Sequence, residues 1–126
     1  MTTNTRLFLS LGGLTALAAV ALGAFGAHAL KDRLPLEMLA VWRTGVEYHF
    51  YHALGLIAVG LLAAQLPGSA LLKWSGWLMF AGIALFSGSL YLLAATGTRW
   101  LGAVTPVGGA AFLAAWALFV AAVLRA

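Results

Sequence analysis

Apolar residues fill this chain in four long blocks, and no two-residue alternation of polar and apolar positions runs through them. Crossing the hydrocarbon of a bilayer takes about 20 apolar residues in a helix. The pattern predicts four such helices, over about residues 7–30, 45–65, 70–95 and 105–124. A β-barrel needs strict alternation in much shorter segments and is excluded. Punctuation supports the divisions. Pro67-Gly68 closes the second block, and Ser69 is placed to cap the third. Thr105-Pro106 reads as a cap followed by proline at the first helical position. The linkers are short, so neighbouring helices should run antiparallel in one bundle. The expectation is an all-α integral membrane four-helix bundle, a single domain over residues 1–126 with both termini on the same side.

Residues 31–44, KDRLPLEMLAVWRT, break the apolar pattern. Pro35 suits a first helical turn, Glu37 suits a helix N-terminus, and Leu36, Leu39 and Trp42 share one face. This segment reads as a short interfacial helix between spans 1 and 2, bent at Gly45. The alternative is one continuous tilted helix from Pro35 to Gln65. Trp42, Trp74, Trp77 and Trp100 fall near predicted helix ends, where an amphipathic ring prefers the headgroup layer, whereas Trp116 falls mid-span. Arg6, an apolar run and Ala27-His28-Ala29 have the layout of a signal peptide, but the run is long for one. The first block is read as a retained span.

Composition agrees with the bilayer as solvent. Hydrophobic residues make up 63% of the 126-residue chain and charged residues 8%, with a mean hydropathy of +1.01. A soluble domain of this size could not cover so much apolar surface. The formal charge of +4 comes from Lys and Arg residues scattered near the ends of apolar blocks. That is the flanking pattern of membrane spans and carries no nucleic-acid footprint. Arg6, Lys73 and Arg125 would face one side, and Lys31, Arg33, Arg43 and Arg99 the other, a balance that leaves orientation open. There is no cysteine, which excludes disulfides, thiolate catalysis and Cys-ligated metal.

An even number of spans gathers the polar residues on one side. His28, the 31–44 segment, Tyr48, His49, His52, Tyr91, Thr96 and Thr105 all fall at one mouth of the bundle, with Ser87 and Ser89 a little deeper. At about 100° per residue, Gly45, Tyr48, His49, His52 and Gly55 share a face of the second span. Arg43 and Glu47 lie on its other side, four residues apart, as a candidate salt bridge. Gly12, Ala16, Ala19, Gly23 and Ala27 line the first span, and Ser75, Gly82 and Ser89 the third. Gly108 through Ala111 open the fourth with four small residues. Such stripes serve close helix packing.

Ionisable groups inside a membrane are costly and point to a site. Two readings compete for the histidines. One is structural hydrogen bonding to Tyr, Ser or Thr. The other is ligation, with His28, His49 and His52 holding a transition metal or haem, or meeting a quinone, and Tyr48 or Tyr91 as supporting donors. Other chemistries lack their residues. No Asp or Glu lies mid-membrane for proton coupling, Ser87 and Ser89 have no sequence-local base, and no P-loop is present.

The blocks GAFGAHAL (23–30), YHFYHALGL (48–56), FSGSLYLL (86–93), TG (96–97) and LGAVTPVGGAAF (101–112) resemble the signatures of the YgdD-like family, small four-span membrane proteins of unknown function. The resemblance covers nearly the whole chain in order. It implies a four-helix protein of the bacterial inner membrane, and no activity, substrate or cofactor. Gly45 stands where the family pattern leads one to expect alanine.

The sequence thus favours a non-enzymatic, self-associating bundle with no cofactor, whose polar mouth binds a small ligand, lipid or partner protein. The alternatives are a haem, metal or quinone redox module on His28, His49 and His52, and a minimal dimeric channel or carrier.

Overall fold

The computed structural model describes all residues from Met1 to Ala126. It is entirely helical. Helix α1 spans Thr3–His28, and Thr2 caps it by accepting a hydrogen bond from the Thr5 amide at 3.2 Å. Helix α2 spans Leu36–Gln65 without interruption, with Pro35 extended at its N-cap. There is therefore no separate interfacial helix between spans 1 and 2, and the continuous alternative holds. Nothing between Leu36 and Thr44 breaks a helix, and Trp42 binds this leading segment to α1 by donating to the Leu22 carbonyl at 2.9 Å. Gly45 sits inside the helix because the Tyr91 ring packs where its side chain would be, 3.0 Å from an added Cβ.

The third span is a composite. Helix α3, Ala70–Gly82, begins at the expected cap, with Ser69 Oγ accepting from the Leu72 amide at 3.3 Å. A π-helical turn at Ile83–Ser87 follows, and then α4, Gly88–Thr96. Gly97 ends it in the left-handed region, at φ 71°, where glycine carries no Cβ penalty. A 3₁₀ turn at Arg99–Ala103 leads into α5, Thr105–Leu124, whose cap is Val104 and whose first turn holds Pro106. Thr105 is thus the first helical residue. Four helical segments are long and apolar enough to cross a membrane.

Helix α2 is the central element, packed against α1 on one side and against the third span on the other, while α3 pairs with α5. The core joins Phe8, Leu56, Val59, Met79, Phe112 and Ala115. Small residues set the spacing, as the stripes predicted, with adjustments. On α1, Gly12, Ala19 and Gly26 are buried whereas Ala27 is exposed. A Cβ on Gly12 would come within 2.9 Å of the Ala53 carbonyl. Ser75, Gly82 and Ser89 are all buried. Gly108 is pressed directly on the Phe86 backbone.

Both termini lie at the end of the bundle that carries the α2–α3 turn. Thr2–Asn4 and the 66–69 turn border one depression, and Arg125 and Ala126 border another against the same turn. Trp74 and Trp100 are exposed at helix ends as expected. Trp42 is not a headgroup anchor, because its ring is buried. Trp77 and Phe8 meet edge to face, with centroids 5.6 Å apart.

Candidate functional site

The polar residues at the mouth end form hydrogen bonds that cross between helices. His52 is the most constrained. Its Nδ1 lies 2.7 Å from the Tyr48 carbonyl, which can only accept, so Nδ1 carries the ring proton. Its Nε2 is then an acceptor, and the indole N–H of Trp116 on α5 donates to it at 3.0 Å. The ring lies flat on Phe112, with centroids 3.5 Å apart and planes 7° from parallel. Both nitrogens and one face are occupied.

His49, one turn earlier, pairs through Nδ1 with the Tyr91 hydroxyl of α4 at 2.8 Å. Tyr91 in turn packs on the Trp42 ring at a centroid distance of 4.7 Å. The π turn places Ser87, whose hydroxyl donates to the Gly45 carbonyl at 2.7 Å. An extra residue in a helical turn shifts the following side chains around the axis, and here Ser87 and Ser89 are both buried. Ser89 donates to the Phe86 carbonyl at 2.9 Å and shares a 2.6 Å hydrogen bond with Thr105 at the start of α5. Deeper in the bundle, Ser75 donates to the Ala115 carbonyl at 2.7 Å.

Every buried side-chain nitrogen and oxygen has a partner within the chain. In hydrocarbon an unmet donor or acceptor costs several kcal/mol or finds another partner. The network is closed, and its members link α2 to α1, α4 and α5.

A family model described as "Protein of unknown function (DUF423)" matches residues 22–109, a stretch that runs from the Leu22 carbonyl through Thr105. The chain belongs to this family. It is 53% identical over 120 residues to the UPF0382 membrane protein YwdK of Bacillus subtilis, covering 95% of this chain and 98% of that one. A UPF0382 membrane protein of Staphylococcus epidermidis is 46% identical over 120 residues, 95% of this chain and 97% of its own. Another, SSP2132 of Staphylococcus saprophyticus, is 46% identical over 115 residues, 91% of this chain and 94% of its own. No solved structure matches the chain significantly. This is a membrane protein of a family whose function is unknown.

The structure of this DUF423 protein sorts the residues singled out in the sequence. It brings together His49 with Tyr91, Ser89 with Thr105, and Ser87 with the backbone of Gly45. His28 does not join them. Helix α1 continues unbroken through Gly26, so His28 ends on the exposed surface. No three His, Cys, Asp or Glu side chains approach closely enough to share a metal ion. The proposed three-histidine ligand set is therefore not assembled. Tyr48 supplies its carbonyl to His52, while its partly exposed ring packs on Phe86 at 4.7 Å. Thr96 lies exposed and bonds back to Leu92 at 2.6 Å. Arg43 and Glu47 are both exposed and do not pair, and the side-chain hydrogen bonds of that turn belong to Trp42 and Thr44.

Two members were missed in the sequence, Trp116 and Trp42. Each indole N–H is a donor with no second role, so a tryptophan within an apolar helix calls for a nearby acceptor. That was the available signal. The acceptors are a histidine ring on another helix and a main-chain carbonyl, and neither is visible as a sequence pattern.

Proposed function

We propose that this DUF423 protein is a non-enzymatic binding module of the bacterial inner membrane that engages a small ligand, lipid or partner protein at its mouth end. The observation that carries this reading is the closure of the polar network. His49, His52, Ser87, Ser89, Tyr91 and Thr105 bond to one another, to Trp116 and to backbone carbonyls, and no fully buried polar side-chain atom is left without a partner. In this reading the network holds the bundle rigid, and recognition belongs to the surface around it. The protein is multi-pass with both termini in one compartment, and it self-associates through its outer helix faces. Within its family, the five sequence blocks around His28, His49, Ser87, Thr96 and Thr105 support a YgdD-like assignment.

The redox alternative has less support, since His28 stands apart and both His52 nitrogens are engaged. Purified full-length protein in nanodiscs tests the proposal. The expected sample is colourless, without stoichiometric metal, and leaves liposomes tight to common ions. A Soret band or bound metal that disappears in His52→Ala would overturn it in favour of ligation, and ion flux would overturn it in favour of a channel.

A further inference from the structure

The mouth end carries a depression beside Trp42. It lies between the end of α1 and the first turns of α2, with a volume of about 440 Å³. Gly23 and Gly26 of α1, Leu39, Trp42 and Val46 of α2, and the cations Lys31 and Arg43 line it. The two helices come this close because a Cβ on Gly26 would collide with the Trp42 ring and one on Gly23 would press on Val46 at 3.2 Å.

We infer that this groove binds an anionic phospholipid, with the lipid phosphate between Lys31 and Arg43 and the upper part of one acyl chain along Gly23 and Val46. Three observations favour that occupant. The two cations lie at the end of a membrane helix pair, where headgroup phosphates are found and basic residues attract them. Neither cation is engaged within the chain, since the nearby side-chain hydrogen bonds are made by Trp42 and Thr44. Val46 lies about one helical turn deeper than Arg43 along α2 and adds an apolar surface below the charge. A soluble anion would need only the two cations, whereas a phospholipid matches the cations and the apolar surface together. The three acidic residues of the chain, Asp32, Glu37 and Glu47, are exposed and do not line the groove.

This inference rests on the reading of the protein as a binding module and names the ligand class. Full-length protein in neutral detergent would be titrated with phosphatidylglycerol and, separately, phosphatidylcholine of the same chains. Thermal unfolding and lipid adducts in native mass spectrometry would be followed. Phosphatidylglycerol is expected to raise the melting temperature and to stay bound, with about tenfold or more preference over phosphatidylcholine. The K31Q/R43Q double variant should lose that preference, and K73Q/R125Q, at the opposite end, should keep it. Gly23→Leu, which crowds Val46 without touching charge, should weaken both lipids. Glycerol 3-phosphate, having no acyl chain, should produce no shift. Equal binding of the two lipids, an undiminished preference in K31Q/R43Q, or a glycerol phosphate shift equal to that of the lipid would each overturn the anionic-lipid assignment. Those results would leave the binding-module reading standing, which fails instead on cofactor or ion flux.

Discussion

Trp116 on α5 donates its indole N–H to His52 on α2 across 3.0 Å, and the imidazole donates its own Nδ1–H to the Tyr48 carbonyl at 2.7 Å. One tautomer of one ring thereby ties the last span to the central helix. Trp116→Phe keeps most of the ring volume and leaves Nε2 without a donor. It should lower stability by about 1 kcal/mol. His52→Ala also removes the ring stacked on Phe112 and should cost about 2–4 kcal/mol, as large-to-small core changes do. Unfolding in mixed micelles titrated with a denaturing detergent measures both. Equal, negligible effects would show that the pair carries no stability.

The His49–Tyr91 bond at 2.8 Å joins α2 to α4 in the same way. A double-mutant cycle of His49→Ala and Tyr91→Phe should give a coupling of about 0.5–1.5 kcal/mol, within the range of interhelical hydrogen bonds in membranes. Additive single effects would place the two side chains out of contact.

Glycines of the same helical type should differ sharply on substitution. An alanine methyl at Gly108 would run into the Phe86 backbone, which cannot swing aside as a flexible side chain can. Gly108→Ala is expected to destabilise by roughly 1–3 kcal/mol, the usual range for overpacking. At Gly13 an added Cβ meets nothing within 4 Å. Gly13→Ala should be neutral or stabilising by up to about 1 kcal/mol, since glycine is a poor helix former. The same micelle titration applies, and the sign at Gly13 is the sharper check.

Reporter fusions at the two ends should give matching signals, both from the same compartment, because Thr2–Asn4 and Arg125 each lie beside the 66–69 turn. Opposite signals would require an odd number of crossings and would dismantle the bundle as described.

The spans were legible because their cause is local. A helix that must satisfy its own backbone in lipid needs only a long apolar run, and Pro67-Gly68, Ser69 and Pro106 mark ends through their own conformational preferences. The π turn at Ile83–Ser87 had no comparable signal. It is an inserted residue whose consequence, Ser87 reaching the Gly45 carbonyl, appears only once two helices are side by side. Pro35 and Glu37 mark a helix start, which α2 has, but the bend expected at Gly45 does not form, because Trp42 packs the leading segment onto α1 and Tyr91 packs on the glycine.

Chain parity brought Tyr91, Ser87, Ser89 and Thr105 to the same end as His49 and His52, and that much belonged to the sequence. Which histidine nitrogen met which partner did not. Hydrogen bonds act over about 3 Å, whereas helical periodicity locates a side chain only to a face. So the exclusion of His28, the pairing of His52 with Trp116 and the open groove beneath Lys31 and Arg43 were decided by how the helices settled on their glycines.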